Sequence, residues 1–132
     1  MSKTDETATE RGRRVRREIM GDAHADRIAA DPDPFVAPFQ DLVTRYGWGE
    51  VWSRDGIDRR TRSLVTLGMM VALNRAHAFK LHVKGALNNG ASRDDIVEVL
   101  LQVMVYCGAP AAEEGVRWAR EVFAELDAPK TP

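Results

Sequence analysis

Apolar residues in this chain recur at spacings of three and four, and no segment alternates apolar with polar residues over the length of a strand. A period of two is what buries one face of a strand while the other meets water, so its absence restricts the chain to helices. Phe35, Val36, Phe39, Leu42, Val43 and Tyr46 follow the helical period. So do Ile96, Val99, Leu100, Val103, Met104 and Cys107, and again Val116, Ala119, Val122, Phe123 and Leu126. The fold class is therefore all-α.

Helix breakers divide the pattern. Residues 1–9 are small and polar and are expected to form a frayed tail. A basic helix-compatible segment runs from Glu10 to Met20, stops at Gly21-Asp22, and is followed by a short segment to Ala30. Asp31-Pro32-Asp33-Pro34 is a firm break, because proline removes a donor and restricts the residue before it. The next helix is expected to be interrupted at Gly47 and Gly49, around Trp48. Asp58 can cap the longest segment, whose apolar run Leu64–Leu73 predicts the central buried helix. Ala76–Asn89 ends at Gly90 in a left-handed C-cap, and Ser92 with Asp95 forms a capping box for the helix that follows. Leu101, Val105 and Tyr106 give that helix a second apolar face, which points to a subunit interface. Gly108 and Pro110 end it, Ala111–Leu126 forms a last amphipathic helix, and residues 128–132 are a tail. One domain over residues 10–127 is the expectation.

The chain has 132 residues and a formal net charge of -1 from 19 basic and 20 acidic side chains, so no global field draws in nucleic acid or a membrane. No apolar segment reaches the length of a membrane span or resembles a secretory signal. The single cysteine, Cys107, excludes an internal disulfide and is expected in the core. With His24, His77 and His82 it makes no metal-binding pattern. A soluble protein in a reducing cytoplasm is expected.

Three features call for more than packing. Arg59, Arg60 and Arg62 fall in the first turn of a helix, where cations oppose the macrodipole. A bound anion explains them, with Arg59 and Arg62 sharing a face, and so does pairing with Asp55, Asp58 or Glu50. The block Leu81–Ser92 sets His82 among Ala78, Gly85 and Ala86, which leaves room for a ligand or permits close helix packing. The reference pKa of an imidazole, about 6.5, suits His82 to proton delivery or oxyanion donation, or it is a hydrogen-bonded core histidine. His77 shares a face with Lys80 and Lys84 and should be solvated. Glu50, between Trp48 and Trp52, would have a raised pKa in an apolar setting and could orient His82 or share its proton; surface pairing is the alternative. Finally, Arg11, Arg13, Arg14, Arg16 and Arg17 put five arginines in seven positions, which raises a helical interaction or nucleic-acid-binding module. Glu10 and Glu18 bracket the run and favour a solvated or intersubunit arm.

The order of Val15-Arg16-Arg17-Glu18, Gly21-Asp22-Ala23-His24, Pro38-Phe39-Gln40-Asp41-Leu42-Val43, Trp48-Gly49-Glu50-Val51-Trp52, Asp58-Arg59-Arg60-Thr61-Arg62-Ser63-Leu64, Ala72-Leu73-Asn74-Arg75, His82-Val83-Lys84-Gly85-Ala86-Leu87-Asn88-Asn89-Gly90 and Val105-Tyr106-Cys107-Gly108 resembles the carboxymuconolactone decarboxylase family. The resemblance spans nearly the whole chain. It implies an alkylhydroperoxidase D-like helical bundle of about six helices, assembled as a homo-oligomer, with a hexamer expected. It also implies a small unsaturated lactone carrying two carboxylates as substrate, decarboxylated with no cofactor and no metal, and no nucleic-acid or membrane partner.

Within that resemblance His82 is the expected general acid, with Glu50 beside it. Arg59 and Arg62 are expected to hold carboxylate, Asn89 to donate to the developing enolate, and Trp48 and Trp52 to wall the site or anchor the core. Alkylhydroperoxidase D-like relatives carry a redox Cys-x-x-Cys pair one turn before the histidine. Arg75 and Ala78 occupy those positions here, so the thiol-peroxidase alternative lacks its relay. Lys84 stands where the family suggests arginine.

Overall fold

The computed structural model describes residues 5–130. All regular elements among them are helical: α1 (Ala8–Met20), α2 (Asp22–Ala30), α3 (Ala37–Leu42), a π-helical segment (Val43–Val51), α4 (Arg59–Ala72), α5 (Ala76–Asn88), α6 (Arg93–Cys107) and α7 (Ala109–Asp127). These are seven α-helices, one more than expected. Contacts group them into two compact units that divide between Arg59 and Arg60.

In the first unit, Thr7 caps α1 through a box in which Glu10 N donates to Thr7 Oγ1 and Thr7 N to Glu10 Oε2, both at 3.1 Å. The helix therefore starts at Ala8, before the expected Glu10. The frayed tail is corrected at Thr7–Thr9, and Met1–Thr4 lie outside the described residues. Gly47 and Gly49 do not interrupt the third helical region, which continues from α3 into the wider π-helical turn. At Gly49, though not at Gly47, the helical segment crosses α1 closely. A Cβ on Gly12 would lie 2.0 Å from the Thr44 carbonyl oxygen, and one on Gly49 would lie 2.2 Å from that of Ala8. Glycine at these positions lets backbone meet backbone. Val15, Ile19 and Trp48 form the small core of this unit. Phe35, Phe39, Leu42 and Tyr46, which follow the helical period, are exposed in the single chain.

The second unit is built around Leu67, Phe79, Val83, Ile96, Trp118 and Val122. Gly115 brings α7 against its neighbours, since a Cβ there would sit 2.6 Å from Leu100 Cδ2. Helix α5 closes in a Schellman motif: Gly90 has φ +93°, Ala91 N donates to Ala86 O at 2.9 Å, and Gly90 N donates to Leu87 O at 3.3 Å. Ser92 and Asp95 form the expected capping box on α6. Pro110 lies in the first turn of α7, where a missing N–H costs nothing.

Two expectations fail here. Helix α4 buries only Ser63, Leu67 and Val71, while Val65, Met69 and Leu73, spaced by four, face outward. Cys107 is exposed rather than packed in the core, as are Met104, Val105 and Tyr106 before it at the end of α6. Tyr106 is 79% exposed and Val105 69%.

Candidate active site

The three arginines at the start of α4 have separate fates. Arg59, the last residue of the first unit, donates to Glu18 Oε2 at 2.7 Å. Partial burial disfavours the Glu18 carboxylate, but hydrogen bonds from Arg59 and Arg14 outweigh it and hold its pKa below the ordinary value. Arg60 grips Asp95 with both Nε (3.1 Å) and Nη2 (2.6 Å). The Ser92 backbone N–H and then Arg60 push the Asp95 pKa down. Neither acid is among the partners expected for these arginines, Asp55, Asp58 and Glu50. Arg62 makes no ion pair among the described residues, and its Nε is buried without a hydrogen-bond acceptor. Of the three arginines, Arg62 is thus the one without a carboxylate partner among the described residues.

Arg62 stands next to Ser63, whose Oγ lies 3.5 Å from Asn89 Nδ2 at the end of α5. The same Asn89 nitrogen donates to the Gly85 carbonyl at 2.7 Å. Both donor directions of the amide thus have protein acceptors, and the side chain helps close the last turn of α5. His82 is half-buried on α5, seven residues before Asn89, about 10 Å along the axis. Gly85 and Ala86 are buried, and Ala86 belongs to the core with Phe79 and Val83. His77 is exposed. Lys84 bonds Glu125 on α7 at 2.9 Å, which gives this departure from the family pattern a structural role.

Trp48 and Trp52 stack at 5.1 Å between ring centroids, and Trp48 is buried with Val15 and Ile19. They anchor the core of the first unit. Glu50 belongs to the same π-helical turn and is exposed, so it lacks the apolar surroundings expected for it. Trp48 and Trp52, four residues apart, stack on one side of the turn, whereas Glu50, two residues from each, falls on the other, so the flanking tryptophans do not enclose it. The arginine run is used inside its own unit. Arg11 Nε donates to Gly49 O at 2.7 Å, Arg14 pairs with Glu6 and Glu18, and Arg17 pairs with Asp22 and Asp26.

Residues 37–121 match the model of the carboxymuconolactone decarboxylase family. The chain belongs to that family. A protein of Acinetobacter baylyi named 4-carboxymuconolactone decarboxylase is 38% identical over 122 residues, covering 92% of this chain and 91% of its own. A nitrosuccinic acid decarboxylase of Metarhizium robertsii is 38% identical over 105 residues, 80% of this chain and 73% of its own. A 4-carboxymuconolactone decarboxylase of Pseudomonas putida is 41% identical over 39 residues, 30% of this chain and 81% of its own.

The family match includes α4 with its arginines and α5 with His82 and Asn89. Among the described residues no group of three or more His, Cys, Asp or Glu is arranged to hold a metal ion, and no helix is long and apolar enough to cross a membrane. Sequence reasoning missed Glu18 and Asp95 as the partners that neutralise Arg59 and Arg60. A signal for Asp95 was present, since a capping-box acid has a second oxygen to offer. It also missed Arg16, which Gly12 and Ile19, four before and three after, place on the buried face of α1.

Proposed function

We propose that this chain is a carboxy-lyase that converts 4-carboxymuconolactone to 3-oxoadipate enol-lactone and carbon dioxide, in the protocatechuate branch of the β-ketoadipate pathway. What carries the reading is the 38% identity over 92% of the chain to a relative of that name. The chemistry needs no cofactor, because the substrate is its own electron sink. The bond from the ring carbon to the leaving carboxylate breaks, and its electron pair passes through the ring double bond into the lactone carbonyl. The resulting dienolate takes a proton on the carbon alpha to that carbonyl.

Three tasks remain for the protein: hold the carboxylates, stabilise the oxyanion, deliver the proton. Arg62 takes a carboxylate, supported by its buried and unpaired Nε. Arg59 is second choice, because a substrate there competes with Glu18. His82 delivers the proton, and the exposure of Glu50 leaves that acid the weaker donor. Asn89 acts by fixing the end of α5 next to Ser63 more than by offering a spare N–H. We assign the active form to a homo-oligomer, with a hexamer as its size, and its compartment to the cytoplasm. Exposed apolar side chains such as Phe35, Met69, Leu73 and Val105 support assembly.

Incubation with freshly generated 4-carboxymuconolactone tests the reading by carbon dioxide release and loss of the substrate absorbance. His82→Ala should lower kcat by about 10²–10⁴-fold with little change in KM. Absence of release by the folded wild type refutes the substrate, and near-normal kcat in His82→Ala removes the histidine from the chemistry. Nitrosuccinate in a parallel assay decides between the two relatives' reactions.

A further inference from the structure

The proposed reaction leaves the arginine run of α1 unexplained, and one side of that run opens on a cavity. The cavity has a volume of about 400 Å³ and lies within the first unit, between α1, α2, α3 and the start of the π-helical segment. That is within the range of small-molecule pockets. Among the described residues, Arg14 and Arg17 are neutralised by carboxylates and Arg11 is spent on a carbonyl, whereas Arg13 and Arg16 form no ion pair. Both line the cavity.

Arg16 is the unusual one. It is only 7% exposed, and its Nη1 donates to Thr44 Oγ1 at 3.3 Å. Its Cζ lies 5.5 Å from the centroid of the Trp48 ring. The buried Nε has no acceptor. A guanidinium does not give up its proton at physiological pH, so this is a buried cation held by a ring face and one long hydrogen bond. Burial lowers its pKa, as expected for a charge without a counterion. Gln40, one helical turn before Thr44, also lines the cavity, and its buried Oε1 has no donor. Asp31 and Asp41 reach the cavity but form no ion pair with Arg16, and Asp31 Oδ1 instead accepts from Asp33 N at 3.0 Å. Ala25 and Ile28 supply an apolar wall.

Two residues of the cavity lining thus carry unsatisfied groups: Arg16, a cation without an anion and with an N–H without an acceptor, and Gln40, with an oxygen without a donor. Water satisfies the hydrogen bonds but not the charge. We infer that this cavity binds a small hydroxylated carboxylate. Its carboxylate pairs with Arg16, with Arg13 adding charge, its hydroxyl donates to Gln40 Oε1, and its apolar body lies against Ala25 and Ile28. None of these residues belongs to the proposed lactone site.

Calorimetric and thermal-shift titration of the full-length protein with ortho-, meta- and para-hydroxybenzoate, and with benzoate, tests this. At least one hydroxybenzoate should bind saturably, once per chain, and raise Tm. Benzoate, lacking the hydroxyl, should bind about three- to tenfold more weakly. Arg16→Met should reduce affinity more than tenfold without lowering the Tm of the unliganded protein, because it removes a buried charge that has no counterion. Gln40→Leu should abolish the difference between hydroxybenzoate and benzoate, a readout that does not depend on how Arg16→Met folds. Arg62→Met should leave this binding intact. No saturable binding by any isomer, unchanged affinity in Arg16→Met, or loss of binding in Arg62→Met would overturn the inference.

Discussion

Arg62→Met tests the proposal that Arg62 binds the substrate while its neighbours in the same helical turn are structural. Arg59 and Arg60 hold Glu18 and Asp95, whereas the Arg62 Nε is buried with nothing to accept its proton. A substrate carboxylate there forms a hydrogen bond to a charged donor, worth about 1.5–3 kcal/mol. Losing it raises KM about 10- to 150-fold at similar kcat, if the bond is the same in the ground and transition states. The free protein loses no partner in this variant, so Tm should stay level or rise slightly. Arg60→Met behaves in the opposite way: it strips Asp95 of two hydrogen bonds, lowers Tm, and leaves KM unchanged. The assay is steady-state decarboxylation with thermal melts of both variants. Unchanged KM in Arg62→Met, or a Tm loss equal to that of Arg60→Met, would refute the argument that an unpaired guanidinium marks the substrate anion.

Other expectations concern the scaffold. Gly12→Ala should destabilise by about 1–3 kcal/mol in a urea titration despite its better helix propensity, because the new Cβ meets a backbone carbonyl at 2.0 Å. Gly47→Ala, with no atom within 4 Å of its Cβ, should stabilise by up to about 1 kcal/mol. The folded Asp95 pKa lies below its unfolded value, so its stabilisation is present above the ordinary aspartate value of about 3.9 and is lost as pH falls through the lower, folded one. Asp95→Asn should therefore flatten the acid limb of a Tm-versus-pH curve. Light scattering should show a multimeric wild type, and Val105→Lys with Tyr106→Lys should shift it to a smaller species; a monomeric wild type refutes the assembly.

Much of the scaffold was legible because it depends on neighbours in sequence. The Gly90 Schellman motif and the Ser92–Asp95 box are both closed by residues within a few positions of each other. The break at Asp31–Pro34 likewise needs only the backbone of proline. Glycine was harder to read. Gly47 and Gly49 look alike as breakers, yet only Gly49 packs against the start of α1, and neither stops the helix. Cys107 and the α4 stripe were misplaced for one shared reason: periodicity shows that a face is apolar, not whether this chain or another copy covers it.

The sequence alone determined an all-helical chain, most of its boundaries, and its place in a decarboxylase family, because helical period, capping chemistry and motif order are all local properties. It also showed that three arginines crowd the start of α4. Which of them remains available to an anion was decided by tertiary structure, since Glu18 lies 41 residues from Arg59 and Asp95 lies 35 from Arg60. Burial without a counterion likewise singled out Arg16 from a run of five. A charge's availability depends on what the fold sets beside it, and no spacing along the chain encodes that.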